Sequence, residues 1–445
     1  MPRAPYVVPS HHDSVVATAA SVIGGPVGRY ARIGARGLGA VAAALIALAG
    51  LAVALGVFQK GHCVVKGWTN PDQFWRACYS DLPVQHVTTS LADRELPYAS
   101  LAGSDQPLLS GLVMWFIARV SPEAGTGVGA QQWVFATWAA LALLLLASAV
   151  LAGVALLPED PWHIAHLAAS PVLVVLALIS VDLVGIALMM WAWWAWSRHH
   201  PALAGSLLGL AFLVRPYPLV MLVALVLVGW REGRVRDAVT ALVAAPLAAL
   251  ALFIPALVLV GDGVLEAGRN WWTVGPGYGA LALVPQLHGA GLSAQAATGI
   301  AVAGWLLAGA VGVWLTFRSV TRPDAVQVAA VMLLIVVATA KSVSVQSGLW
   351  LLPLLALSGV RWRDHLIWAA TEIVHFEMTW LHIGFGSDAG KGLPGSTYSL
   401  FIVLRLVGWS WVVWQIWSGA TRHRPHEAPE RVAAGPAPLP SRQLS

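Results

Sequence analysis

The stretch 38–58, LGAVAAALIALAGLAVALGVF, decides the fold class of this chain. It holds no charged side chain, and about 20 apolar residues in a helix cross the hydrocarbon core of a bilayer. A segment in lipid must satisfy its own backbone groups, so the stretch has to be a helix. Arg29, Arg32 and Arg36 precede it, and such basic flanks stay on the cytoplasmic side. We therefore predict a first membrane span that is retained, with residues 1–36 in the cytoplasm.

Composition extends this conclusion to the whole chain. Of its 445 residues, 58% are hydrophobic and 11% are charged, with a mean hydropathy of +0.72, whereas soluble domains are about 25% charged. This excludes a soluble globular protein, and the two cysteines exclude a disulfide scaffold. The net charge of +5 does not indicate nucleic-acid binding, because the basic residues lie at the ends of apolar runs. The chain is predicted to be an all-α polytopic membrane protein.

Further apolar runs follow along the chain, and several are shorter than a full bilayer crossing. We expect about 11 to 13 membrane helices in a transmembrane domain covering 37–420, followed by a disordered cytoplasmic tail, 421–445. The apolar runs after the first lie at 107–120, 133–157, 164–179, 183–196, 202–214, 219–230, 238–260, 297–317, 325–340, 348–360, 366–383 and 400–417.

The arginine clusters set the expected orientation. When clusters such as Arg231 and Arg234 face the cytoplasm, the spans alternate consistently back from the C-terminus. Run 107–120 then does not cross the membrane and is predicted to be an interfacial or re-entrant helix. The same alternation places several polar groups on the outer face: Asp182, Arg215, Arg269, Lys341 and Gln346.

The longest polar interval, 59–106, becomes the first outer loop and the expected home of the chemistry. Cys63 and Cys78 lie 15 residues apart in it, so they are a disulfide candidate in an oxidising compartment, with two free thiols as the alternative. Asp81 follows in the sequence Cys-Tyr-Ser-Asp-Leu-Pro. Its carboxylate is a candidate general base for a hydroxyl group. The alternative is an aspartate that caps a short interfacial helix.

Asp182 and the outer cations form a second set of candidates. An acid inside an apolar stretch suggests function by default, and Asp182 is either a ligand-site carboxylate or the structural partner of Arg215. Arg215, Arg269 and Lys341 are candidates for holding a lipid-linked phosphate. Lysine and arginine side chains that only reach toward lipid headgroups are the alternative.

Glu372 and His375 lie three residues apart on one helix face. They suggest a proton-handling pair, with a metal site as a less favoured alternative; we predict no metal and keep His375 as a candidate substrate-binding residue. The sequence contains no Walker loop, HExxH or paired CxxC motif, which argues against nucleotide hydrolysis.

Taken together, these segments resemble glycosyltransferase family 87 of the GT-C superfamily, the actinobacterial relatives of polyprenyl-phosphomannose-dependent α-mannosyltransferases. The similarity covers about residues 63–382 and lies in the order and spacing of the following stretches: Cys78-Tyr79-Ser80-Asp81-Leu82-Pro83, Asp105-Gln106-Pro107-Leu108-Leu109, Ser170-Pro171, Val181-Asp182-Leu183, His200-Pro201-Ala202-Leu203-Ala204-Gly205, Arg215-Pro216-Tyr217-Pro218-Leu219, Lys341-Ser342-Val343-Ser344-Val345-Gln346 and Leu349-Trp350-Leu351-Leu352-Pro353.

The resemblance implies a GT-C fold whose first outer loop holds interfacial helices and a catalytic acid, here Asp81. It implies a polyprenyl-phosphate sugar as donor substrate, no cofactor, and metal-independent inverting transfer. Lys341 and Gln346 would lie near the donor phosphate. The chain departs from the family pattern where Asp105-Gln106-Pro107 replaces Glu-Tyr-Pro and where Ala340 and Val345 replace an asparagine and a proline, so the sugar and the acceptor stay open.

The sequence thus predicts a hexosyltransferase of the cell membrane, with mannose as the favoured sugar. Its expected partners are the lipid-linked sugar, an envelope glycan or glycolipid acceptor on the outer face, and membrane lipids. One alternative is a secondary transporter or flippase of envelope precursors, although no internal repeat of the kind common in transporters is evident. The other alternative is a non-catalytic, divergent family member.

Overall fold

A computed structural model describes residues 35–98 and 105–419 of the chain. The predicted cytoplasmic segment 1–36, apart from the first turn of the first helix, and the predicted tail 421–445 lie outside the described residues. Within the described ranges all regular structure is helical, without a strand. The α-helices are α1 (Ala35–Gln59), α2 (Gly61–Lys66), α3 (Asp72–Trp75), α4 (Asp81–Thr88), α5 (Leu108–Val120), α6 (Val128–Leu156), α7 (Ala165–Ala168), α8 (Pro171–Leu176), α9 (Asp182–Ser197), α10 (Pro201–Phe212), α11 (Pro218–Arg231), α12 (Val235–Val260), α13 (Glu266–Thr273), α14 (Val284–Leu287), α15 (Ala294–Arg318), α16 (Ala325–Thr339), α17 (Leu352–Ser358), α18 (Trp362–Phe385) and α19 (Gly395–Gly419).

Five helical segments in the described part of the chain are long and apolar enough to cross a membrane: Gly37–Gln59, Val128–Leu156, Val235–Thr273, Ala294–Arg318 and Gly395–Ser418. Between them lie six shorter apolar helical segments: Leu108–Val120, Pro161–Leu176, Pro201–Phe212, Pro218–Arg231, Ala325–Thr339 and Val345–Ser358. The protein is therefore an all-α membrane protein, in agreement with the sequence analysis.

Helix α12 exposes a large apolar surface that lipid, and not water, would cover. Only 6% of its most apolar window is buried inside the protein, and Leu247, Val258 and Leu259 are 60%, 79% and 76% exposed. An apolar face of this extent is unfavourable in water, where burial gains about 25 cal/mol per Å². Lipid tails cover it without cost, so α12 lies at the lipid-facing rim.

Two of the predicted apolar runs correspond to composite helical segments, Pro161–Leu176 and Val345–Ser358. In run 164–179 the helix is interrupted at Ala169 and Ser170, between α7 and α8. Run 348–360 divides into a 3₁₀ segment, Val345–Leu351, and α17. Pro171 begins α8 and Pro353 lies in the first turn of α17. Because proline lacks a backbone N–H, it is tolerated in the first turn of a helix and interrupts a helix elsewhere.

One end of the bundle gathers most of the polar connections, and we call it the loop end. Backbone hydrogen bonds join its segments: Asp81 donates to Ile179 (2.7 Å), Leu109 to Leu213 (3.0 Å) and Gly277 to Lys341 (2.7 Å). The loop end comprises residues 60–98, 105–127, 177–182, 213–217, 261–293 and 340–351.

Helix α5 belongs entirely to the loop end. Leu109, near its start, bonds to Leu213, and the Ser121 carbonyl just after its end accepts a hydrogen bond from Arg94. Thirteen residues span about 20 Å at 1.5 Å per residue. Since both ends bond to the same end of the bundle, α5 lies along that end and does not pass through the bundle.

Helices α10 and α12 pack through small residues. A Cβ built at Gly205 would lie 2.2 Å from the Ala241 carbonyl oxygen, and one at Gly209 would lie 2.0 Å from that of Ala245. Glycines four residues apart let helix backbones approach closely, and this is a common way to join helices in lipid. The pairing fixes the lipid-facing α12 to the rest of the bundle.

We expect Gly209→Ala to destabilise the protein by about 1 to 3 kcal/mol, because the new methyl group meets backbone that cannot move aside. Gly309→Ala on α15 is the matched control, since its Cβ would meet no atom within 4 Å. Thermal unfolding in detergent should lower the midpoint for Gly209→Ala only. Equal midpoints for the two variants would contradict the α10–α12 contact.

Candidate functional site

Residues 77–79, just before Asp81, accept hydrogen bonds from three side chains that lie at the end of α1 and in the segment after it. Cys78 is bonded to Cys63 in a disulfide. Successive backbone carbonyls then each accept a hydrogen bond: Ala77 from Gln59 Nε2 (2.7 Å), Cys78 from Trp68 Nε1 (3.0 Å) and Tyr79 from Lys60 Nζ (2.9 Å). The chain entering α4 therefore has little freedom to move.

Asp81, the predicted general base, is docked against the segment that leads into α9. Its backbone N–H donates to the Ile179 carbonyl (2.7 Å), and Ser80 Oγ donates to the Leu178 carbonyl (2.7 Å). The Asp81 carboxylate accepts a hydrogen bond from the Tyr79 hydroxyl. Asp81 is the first residue of α4, and no side chain caps that helix.

Asp182 and Arg215 form a buried ion pair beside Asp81. Arg215 Nε donates to Asp182 Oδ1 (3.0 Å), and the Asp182 side chain is completely buried. Ser180 Oγ (2.9 Å) and Trp350 Nε1 (2.9 Å) also donate to this carboxylate. Three donors thus satisfy the Asp182 carboxylate, and the ion pair with Arg215, one of the two sequence-based alternatives, is present in the structure.

The charges around Asp81 explain its acidity. Burial raises the pKa of Asp81 to about 6, and the nearby carboxylates Asp182 and Asp105 raise it as well. Arg215 and the hydrogen bond from Tyr79 act in the opposite direction and favour the carboxylate. A group of this kind is ionised at neutral pH yet accepts a proton readily, which suits a general base.

Gln346 lies in the 3₁₀ segment Val345–Leu351 and is buried, 4% exposed. Its neighbour Ser347 shares a hydrogen bond with the hydroxyl of Tyr217 (3.0 Å), and Trp350 of the same segment reaches Asp182. The segment that carries Gln346 therefore contacts both Asp182 and the corner that holds Arg215.

Lys341 occupies different surroundings at the loop end. Its side chain is 2% exposed, and Nζ donates to the Val274 carbonyl (2.8 Å) and to Thr298 Oγ1 (2.9 Å). The ammonium lies 4.8 Å from the centre of the Trp271 ring, and burial lowers its pKa. Among the described residues Lys341 makes no salt bridge with a carboxylate, so its charge is balanced only by neutral groups.

Glu372 pairs with Arg405 rather than with His375, contrary to the predicted proton-handling pair. Arg405 donates from Nε to Oε1 (2.9 Å) and from Nη2 to Oε2 (3.0 Å), and Trp409 adds a third hydrogen bond. Nη2 of Arg405 also reaches the Val345 carbonyl (3.2 Å). The pair therefore joins α18 and α19 to the segment that carries Gln346.

His375 and Arg269 both lie apart from this cluster. His375 is fully buried on α18 and contacts Thr379 and the Tyr398 ring. Arg269 lies on the surface helix α13, where its half-exposed side chain pairs with Asp262 (2.9 Å). The structure thus brings together Asp81, Asp182, Arg215 and the Gln346 segment, and it leaves Lys341, His375 and Arg269 in separate surroundings.

Sequence reasoning missed three members of the site. Lys60 follows a membrane span directly, so it resembled a lysine that reaches toward headgroups, yet it is fully buried. Arg405 lies inside the apolar run of α19, and its isolated charge there was a usable signal. Trp350 carried no such signal, because its partner Asp182 is 168 residues away.

No group of three or more His, Cys, Asp or Glu side chains in the described ranges is arranged to hold a metal ion. Comparison of the chain with protein-family models and with curated proteins found no match. The described site contains the buried Asp81 carboxylate and the ion pair of Asp182 with Arg215.

We expect the Arg405→Met variant to lose about 3 to 5 kcal/mol of stability, because it leaves the buried Glu372 carboxylate without its cation. The double variant Glu372→Leu/Arg405→Met removes both charges and should be more stable than Arg405→Met alone. Arg269→Met breaks a half-exposed pair and should change stability by about 1 kcal/mol at most. Thermal unfolding in detergent gives all three values, and a double variant no more stable than Arg405→Met would show that the pair is not the source of the loss.

Proposed function

We propose that this protein is a membrane glycosyltransferase with a GT-C-type fold. It transfers a sugar, with mannose favoured, from a polyprenyl-phosphate donor to an envelope glycan or glycolipid acceptor on the outer face of the cell membrane. The observation that carries the proposal is the position of Asp81, which is docked on residues 178–179 by hydrogen bonds and follows the Cys63–Cys78 disulfide. Burial there raises the pKa of its carboxyl group. The order of motifs along the chain, described above, supports the choice of donor.

In the proposed reaction Asp81 acts as the base. The acceptor hydroxyl oxygen attacks the anomeric carbon, the bond from that carbon to the phosphate oxygen breaks, and the hydroxyl proton moves to the Asp81 carboxylate. The lipid phosphate leaves with the bonding electrons. Attack opposite to the leaving group inverts the anomeric carbon, and no metal or cofactor takes part. A positioned base of this kind contributes about 10² to 10⁴ in rate.

Lys341 is the proposed partner of the donor phosphate. A buried ammonium without a carboxylate is electrostatically incomplete, and a phosphate oxygen would complete it with a charge-assisted hydrogen bond. The neighbouring Trp271 and Trp272 are 36% and 60% exposed, and tryptophan favours the level of lipid headgroups. A lipid-linked phosphate matches both features, whereas a soluble anion matches only the charge.

The Asp81→Asn variant keeps the shape of the side chain but removes the base. We expect transfer of radiolabelled sugar from polyprenyl phosphate in isolated membranes to fall by about 10² or more. Asp93→Asn, which changes an exposed acid of the same loop, is the control and should retain activity. Full activity in Asp81→Asn would remove Asp81 from the reaction.

The Lys341→Met variant should raise the KM for the donor by about tenfold or more, since hydrogen bonds to charged groups contribute about 1.5 to 3 kcal/mol. The kcat should change less if the contact is equal in ground and transition states. Thr298→Val is the control, because it removes one contact of the ammonium and keeps the charge. An equal rise in KM for both variants would show that local packing, and not the charge, is responsible.

A further inference from the structure

Lys60 is a buried cation that the proposed reaction does not use. Its side chain is 0% exposed, directly after α1. The ammonium donates to the Tyr79 carbonyl (2.9 Å) and lies 5.7 Å from the centre of the Phe376 ring. Asp81 and Glu377 are the carboxylates that act on it electrostatically.

Burial disfavours the charged form of the Lys60 ammonium, and its pKa is lowered as a result. Burial lowers the pKa of Lys60 to about 7, although both carboxylates oppose the change. A lysine at the end of a membrane span normally extends its charge to the headgroups, and Lys66, one helix further on, is exposed. Lys60 instead turns inward, toward the segment that carries the candidate base.

Tyr79 connects Lys60 to Asp81 through its two ends. Its carbonyl accepts from Lys60, and its hydroxyl donates to the Asp81 carboxylate. Its ring is held between Trp380 and Phe74, at centroid distances of 4.8 and 5.7 Å. Tyr79 therefore bonds Lys60 through its carbonyl and Asp81 through its hydroxyl, so Lys60 helps to fix the residue that donates to Asp81.

We propose that Lys60 is a positioning residue, which acts through Tyr79 to hold the Asp81 carboxylate in its ionised, oriented form. The catalytic consequence rests on the proposed function, whereas the link between Lys60 and the ionisation of Asp81 does not. The other charged groups near Asp81 are Arg215 from the corner after α10, Asp182 from α9, and Asp105. Glu377 from α18 faces Lys60, and a substitution at Lys60 leaves all four in place.

The experiment measures the ionisation of Asp81 directly in the full-length protein. A hydrophobic carbodiimide modifies protonated carboxyl groups, so mass spectrometry of the Asp81 peptide across a pH series gives the midpoint of its titration. In the unmodified protein the midpoint should lie near pH 6. If Asp81 is the base, transfer activity should be lost as the pH falls through the same value, because the protonated acid cannot accept a proton.

Lys60→Met should raise the midpoint by about 0.5 to 1 unit, since Tyr79 loses the hydrogen bond that helps to position its hydroxyl against the carboxylate. Tyr79→Phe, which removes only the hydroxyl, should raise it similarly, and the double variant should show no further rise because both residues act through one hydrogen bond. Lys60→Arg keeps the charge and should restore the original midpoint, and Lys66→Met should leave it unchanged.

An unchanged midpoint in Lys60→Met, or a shift that adds fully to that of Tyr79→Phe, would overturn the proposal. If Lys60→Met does not assemble, Tyr79→Phe decides, because an unchanged midpoint there breaks the link between Lys60 and Asp81. Labelling needs no substrate. Shifted midpoints without any sugar transfer would therefore refute the proposed function alone, and transfer with unshifted midpoints would refute the positioning role alone.

Discussion

The ion pair between Asp182 and Arg215 is the interaction on which the loop end depends. A charge in a helix bundle surrounded by lipid is expensive unless it is paired and fully hydrogen-bonded. Asp182 meets this requirement with partners from three places in the chain: Ser180 beside it, Arg215 after α10, and Trp350 in the 3₁₀ segment. The need to satisfy one carboxylate thus fixes the start of α9, the corner after α10 and the segment 345–351 relative to one another.

The same requirement separates structural charges from candidate functional ones. Glu372 and Arg405 satisfy each other through two hydrogen bonds, and Asp182 accepts from three side chains. Asp81 and Lys341 differ within the described part of the chain, because Tyr79 is the side-chain donor to Asp81 and Lys341 makes no salt bridge there with a carboxylate. A buried charge with few partners lowers the stability of the protein. A bound substrate could supply the missing hydrogen bonds or opposite charge to these two side chains.

Sequence patterns predicted the helical class and the approximate positions of the helices. They could do so because every apolar run in lipid must satisfy its own backbone hydrogen bonds, and a helix does this. Run 38–58 corresponds to α1, and run 107–120 corresponds to α5, whose interfacial position stays a prediction. The patterns failed where a proline divides a run, as at Pro171, since local chemistry there overrides average hydropathy. They also named Asp81, Asp182 and Arg215 but did not distinguish their roles. Their roles depend on side-chain contacts between residues far apart in the sequence, such as Asp182 and Trp350, which are 168 residues apart. Hydropathy contains no information about such contacts.

The proposed glycosyl transfer would make specific demands on the distribution of charge at the loop end. In such a reaction positive charge develops on the sugar and negative charge on the departing phosphate, and preorganised groups of opposite sign stabilise each. Around Asp81 the charges are mixed, because Arg215 favours the carboxylate whereas Asp182 and Asp105 raise its pKa. Lys341 lies apart from this cluster, with its ammonium bonded to the Val274 carbonyl and to Thr298. The proposed reaction therefore requires that the bound lipid-linked sugar reach both groups, the phosphate at Lys341 and the anomeric carbon near Asp81.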